Sequence, residues 1–148
     1  MTDQTIEQEI QTKGKTAPRI TSADIEANIA SEHYFTAEDG VFGVIGKQGM
    51  EMLECPEPLS LLTFCGLVLR NGFTVTGESA CASPENFDAE IGRKIARQNA
   101  VQKMWPLMGY ELKQKLLDIK RLGLADDNDF PLGNACDLSG EGTCEACQ

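Results

Sequence analysis

Histidine is almost missing from this 148-residue chain: His33 stands alone, and there is one tryptophan and only 6% aromatic residues in all. A histidine-rich metal site is therefore excluded, and any histidine-dependent catalysis would have to run through His33. Bases are also scarce, 13 against 23 acids, for a net charge of −10. A chain so acidic lacks the basic footprint that sequence-independent DNA binding requires. Long apolar runs are absent too. The longest, Leu59 to Leu69, is interrupted by Thr63 and Gly66 and is too short to span a bilayer. The opening residues MTDQTIEQEIQTKGK have no apolar centre of the kind a secretory signal needs. A cytosolic protein is expected, with its six cysteines as thiols rather than disulfides.

What is present suits one domain with a core of its own. The charge is segregated. Residues 1–60 carry 11 acids and 4 bases, residues 61–121 carry 6 acids and 9 bases, and residues 122–148 carry 6 acids and no base. We divide the chain into an aperiodic arm (1–18), a folded domain (19–123) and an acidic, cysteine-containing tail (124–148).

Local signals are densest in the middle. Leu59 to Arg70 reads as a buried strand, Asn71-Gly72 as a type I′ hairpin turn, and Phe73 to Ser79 as the returning strand. A two-residue turn there would set Leu67 against Thr76 and Gly66 against Gly77, leaving a glycine-lined notch. Ser83 with Pro84 reads as a helix start. Phe87, Ile91 and Ile95 recur every four residues, with Ala96 and Ala100 small enough for close packing. Pro106 is expected to interrupt or kink this helix, and a second amphipathic segment carries Leu112, Leu116 and Ile119. Upstream, Thr21 with Asp24 resembles a capping box opening a short helix over Ser22–Ser31. Residues 34–58 stay open between short strands and a helical turn capped by Thr36 and Asp39. The expected fold is α+β: a small antiparallel sheet built on a β-hairpin, packed by two C-terminal helices and a short N-terminal helix.

The stretch from Leu62 to Leu112 contains a threonine-bearing strand with a cysteine, then NGF, GESA, PENF, an Ile-Gly helix and a W-x-L-x-GY segment. In this it resembles a family of small tailed-phage proteins named after genes of the podoviruses N-four and Sf-six. The resemblance implies a phage or prophage accessory protein, for which the expected location is the host cytoplasm. It brings no catalytic or ligand residues with it.

Chemistry has few footholds. Cys136, Cys144 and Cys147 include one C-x-x-C pair, half of a zinc site with no second half, so these are weak metal candidates and no cofactor is expected. A dyad of His33 with Cys55, Cys65 or Cys81 lacks any visible base or oxyanion arrangement, and no phosphate-binding glycine motif is present. The sequence thus favours a non-enzymatic binding protein. The candidate ligand residues are the helix-borne bases Arg93, Lys94 and Arg97, the hydroxyls Ser79 and Ser83 near a helix start, and Trp105 and Tyr110 as stacking platforms. The expected function is sequestration of a small phosphorylated, nucleotide-type signal of host defence by a homo-oligomer. The alternative is an acidic interaction protein that inhibits a host defence or nucleic-acid-binding protein by contact. Neither reading involves a membrane or direct nucleic-acid binding.

Overall fold

Alternation builds the centre of the molecule. In β2 (Leu62–Leu69) every second residue is buried: Thr63, Cys65, Leu67 and Leu69. In β3 (Thr74–Ala80) the buried positions are Val75 and Gly77. The structure, a computed structural model, describes residues 3–49 and 54–123. The tail, and with it Cys136, Cys144 and Cys147, lies outside the described residues. The elements run α1 (Asp3–Thr12), α2 (Ser22–Asn28), β1 (Ile29–Thr36), α3 (Ala37–Gln48), β2, β3 and α4 (Ala89–Arg121), with single 3-10 turns at Glu57–Leu59 and Pro84–Asn86. The sheet is antiparallel in the order β1-β2-β3, so the hairpin gains its third strand from its own chain.

The chain reverses at Asn71-Gly72 as expected, but with a three-residue loop. Gly72 alone has positive φ (+83°), Gly72 N–H donates to the Leu69 carbonyl, and Leu69 N–H donates to the Phe73 carbonyl. This is a type I turn closed by a left-handed glycine, with the Asn71 side chain accepting from Phe73 N–H. The extra residue slips the expected register by one. Leu67 faces Val75 and Cys65 faces Gly77. Gly66 and Gly77 are therefore on opposite faces, and the expected notch does not exist.

The slip gives Gly77 its purpose. A Cβ there would stand 2.1 Å from the Ala96 carbonyl oxygen and 2.3 Å from the Ala100 nitrogen. Glycine lets the backbone of α4 lie directly on β3. The face of α4 that meets the sheet is accordingly its small-residue stripe, Gly92, Ala96 and Ala100, followed by Met104. The expected Ile91 and Ile95 stripe points elsewhere, 55% and 43% exposed. Ile25 of α2 completes the core, with Ile20, Ile29, Tyr34, Val101, Trp105 and Met108 packed around it.

Helix boundaries differ in instructive ways. Ser83-Pro84 opens only a 3-10 turn, and α4 starts at Asp88, whose carboxylate accepts from Glu90 N–H and Ile91 N–H. Pro106 sits inside α4 and does not end it, so one 33-residue helix replaces the two expected. Residues on both sides propagate the helix, and proline removes only one N–H from the ladder. The Thr21–Asp24 box caps α2 as expected. The Thr36–Asp39 box caps α3, which carries three glycines internally. Residues 3–12, expected as aperiodic arm, form α1, pinned by the Arg19–Glu7 ion pair at 2.6 Å. Among the described residues no helix is long and apolar enough to cross a membrane.

Candidate functional site

Two of the three candidate helix-borne bases, Lys94 and Arg97, are already engaged. Arg97 donates to both Glu26 oxygens at 2.7 and 3.1 Å and, through Nε and Nη2, to Glu32 Oε1 at 2.9 and 2.7 Å. Glu32 also accepts from the Tyr34 hydroxyl at 2.7 Å. The hydrogen bonds from Arg97 hold the Glu32 carboxyl below the usual carboxylate range, against the opposing effect of burial. Burial, then the bond to Glu32, pushes the Tyr34 phenol well up. The two carboxylates push the Arg97 guanidinium up in turn. This cluster ties α2, β1 and α4 together.

Lys94 donates to Glu90 one turn back, and Lys103 to the Thr76 carbonyl at 2.8 Å. Of the bases on this stretch of α4, Arg93 makes no ion pair among the described residues and feels Asp39 only through space. The amides opening α4 are taken by Asp88 rather than free for an anion. Ser79 and Ser83 flank the end of β3, and the Ser83 carbonyl accepts from the Cys81 thiol. Trp105 is half-buried on the core and Tyr110 is 74% exposed. Along α4 they lie about 12 and 20 Å beyond Arg97. The seven expected ligand residues are thus spread along the molecule, not gathered round one point.

The concave surface lies further along α4. Where α4 overhangs the sheet, it and the segment linking α1 to α2 enclose a groove of about 870 Å³. Its apolar lining is Ala17, Pro18, Ile20, Met108 and Leu112; its charged groups are Lys15, Arg19, Lys115, Asp24 and Glu111. Local structure explains the wall. Gly14 takes φ +61° to turn the chain off α1, Arg19 is anchored to Glu7, and the Thr21 cap fixes where α2 begins. On the far side Lys115 pairs with Glu111. An apolar floor with a few charges at its rim is the usual form of a small-ligand site. Its sequence signal is weak: Met108 and Leu112 share a helix face, but the wall of residues 14–19 has no periodicity.

The sheet face away from α4 is open. Phe35 and Phe64 stack there with ring centroids 5.4 Å apart, Phe35 46% exposed. His33 lies on the same face and its Nε2 meets Ser31 Oγ at 3.1 Å. Cys65 is wholly buried on the other face, beside Tyr34, and burial pushes its thiol up, so no His33–Cys65 dyad assembles. No carboxylate orients His33 in the Ser31–His33 contact. Among the described residues no three metal-ligating side chains converge. Cys55, Cys65 and Cys81 are free thiols.

Residues 20–116 match the family model described as phage protein (N4 Gp49/phage Sf6 gene 66) family. No curated protein and no solved structure matches the chain.

Proposed function

The chain belongs to the N4 Gp49/phage Sf6 gene 66 family of phage proteins, and from that premise we propose that it works without catalysis, by holding a small phosphorylated, nucleotide-type signal of host defence out of circulation in the host cytoplasm. The observation that carries this reading is the groove between residues 14–24 and Met108–Lys115. Its size suits a nucleotide. Met108 and Leu112 offer an apolar bed for a base, and Lys15 stands where a phosphate would be received, while Lys115 would have to give up Glu111 to join it. The ligand site thus moves from the expected basic face of α4, where Arg97 is held by two carboxylates, to the groove.

Calorimetry of the full chain against cyclic and ADP-ribose-type nucleotides tests this. Heat is expected with at least one of them, and its loss in Leu112→Glu, which sets a carboxylate in the apolar bed and repels the phosphates. No heat with any, together with no depletion of signal from infected-cell extract, refutes it.

A second reading, contact inhibition of a host defence protein, is favoured by the exposed Phe35–Phe64 stack on a chain of net charge −10. Phe35→Lys separates the two. It would abolish capture of a host protein and leave nucleotide binding intact.

A further inference from the structure

The two edges of the sheet are treated differently. Leu69 N–H donates to the Phe73 carbonyl, so odd-numbered β3 residues bond to β2 and even-numbered ones point outward. Side chains of α4 occupy that outward edge: Lys103 Nζ donates to the Thr76 carbonyl and Asn99 Nδ2 to the Glu78 carbonyl, both at 2.8 Å. On β1 the register pairs Ser31, His33 and Phe35 with Val68, Gly66 and Phe64. The backbone groups of Glu32 and Tyr34 therefore point away from the sheet, and among the described residues nothing receives them. No residue of β1 is fully buried. An open edge of this kind is a template for another strand.

We propose that a second copy of this chain occupies it, β1 against β1 in antiparallel register, joining two three-stranded sheets into one of six strands. Register follows from side chains. Setting Glu32 opposite its own mate would oppose like charges, and setting Tyr34 opposite its mate would draw in Thr36, whose N–H is already given to Asp39. Setting Glu32 against the partner's Tyr34 avoids both and forms four backbone hydrogen bonds across the axis. It places Ser31 opposite the bulky Phe35 of the other copy, beside the Phe35–Phe64 stack, and His33 opposite His33 on the two-fold. Because Lys103 and Asn99 block the β3 edge, the assembly closes at two copies and cannot propagate into a fibre.

Light scattering coupled to size exclusion at tens of micromolar is expected to give twice the 16.1 kDa chain mass. Opposed residues at the axis would have Cα atoms about 4.5 Å apart, within disulfide range. On mild oxidation His33→Cys is therefore expected to form a dimer linked through the two introduced thiols, identified by peptide mass spectrometry. Ser31→Cys would give no such link, because its mate lies roughly 13 Å out of register. Tyr34→Pro removes an outward N–H without touching the β1–β2 ladder and is expected to yield a folded monomer. A monomeric wild type overturns the proposal, as does a dimer that links through Ser31→Cys and not His33→Cys, or one that survives in folded Tyr34→Pro. Should Tyr34→Pro fail to fold, the thiol comparison decides alone.

Discussion

Replacing Gly77 by alanine adds one methyl group at the place where α4 lies closest to the sheet. That carbon would meet the Ala96 oxygen at 2.1 Å, the Ala100 nitrogen at 2.3 Å and the Ala100 Cα at 2.9 Å. All three are backbone atoms, so no side chain can swing aside. Restoring ordinary contact means moving the helix outward by more than an ångström. Overpacking alone costs about 1–3 kcal/mol. The same shift pulls Asn99 from the Glu78 carbonyl and Lys103 from the Thr76 carbonyl, each bond worth about 0.5–1.5 kcal/mol. The total, about 4 kcal/mol, is a large share of the roughly 5–15 kcal/mol that holds a domain together. For a folded unit near 100 residues it corresponds to a Tm lower by about 16 °C. Gly66 is the internal control: a Cβ there meets nothing within 4 Å, because it lies on the open face. Gly66→Ala is expected to stay within about 1 kcal/mol of wild type. Thermal and urea melts by circular dichroism measure both. A Gly77→Ala melt within 2 °C of wild type, taken as roughly half a kilocalorie, or equal losses at the two glycines, would refute the placement of α4 on β3.

Two further outcomes follow from polar groups near that contact. Thr63 is 3% exposed and its Oγ1 finds no partner among the described residues, with Gly92 pressed against it. Thr63→Val keeps the shape and removes the unsatisfied hydroxyl, so a gain of about 1 kcal/mol in urea unfolding is expected; a loss of that size would mean the hydroxyl is bonded. The Glu32 carboxyl, held low by Arg97, takes up its proton more readily in the unfolded chain. Its contribution is complete above the ordinary carboxylate range and is lost as pH falls from there through the lowered folded value, so Glu32→Gln should show a shallower decline of stability in acid than wild type; parallel profiles would contradict the pairing.

Much of the fold is legible where the physics is local. Thr21 with Asp24 and Thr36 with Asp39 cap helices because a hydroxyl and a carboxylate three residues apart satisfy two amides. Asn71-Gly72 marks the reversal. Its register is not legible, because Asn71 serves as acceptor for Phe73 N–H and leaves the positive φ to Gly72 alone. The core face of α4 is misread for a related reason. Apolar periodicity points to Ile91 and Ile95, but Gly77 brings the helix in so close that only Gly92, Ala96 and Ala100 fit. The partners of Arg97 stand 65 and 71 residues away, and no local pattern announces them. Charge alone marks Arg97 as a ligand residue, and the carboxylates that neutralise it come from distant parts of the chain.

The position of α4 links the groove to the open edge. Packed over β3 and β2, it reaches β1 mainly through the Arg97 tether, and among the other described helices only α2 and α3 lie against that strand. Continuing past the sheet, it exposes Met108 and Leu112, which need another wall. That wall is supplied by residues 11–19, which precede the family-matched segment at residue 20, whereas β1 and the Gly77 contact lie within it. The scaffold and its free edge are therefore properties of the family segment, and one side of the groove belongs to the sequence outside it. Specificity residing in that wall would change with residues 11–19 while the fold stayed the same. Exchanging Lys15 for glutamate should accordingly weaken the proposed nucleotide binding, read by calorimetry, without moving the melting temperature or the mass in solution; binding heat equal to wild type would remove Lys15 from the site.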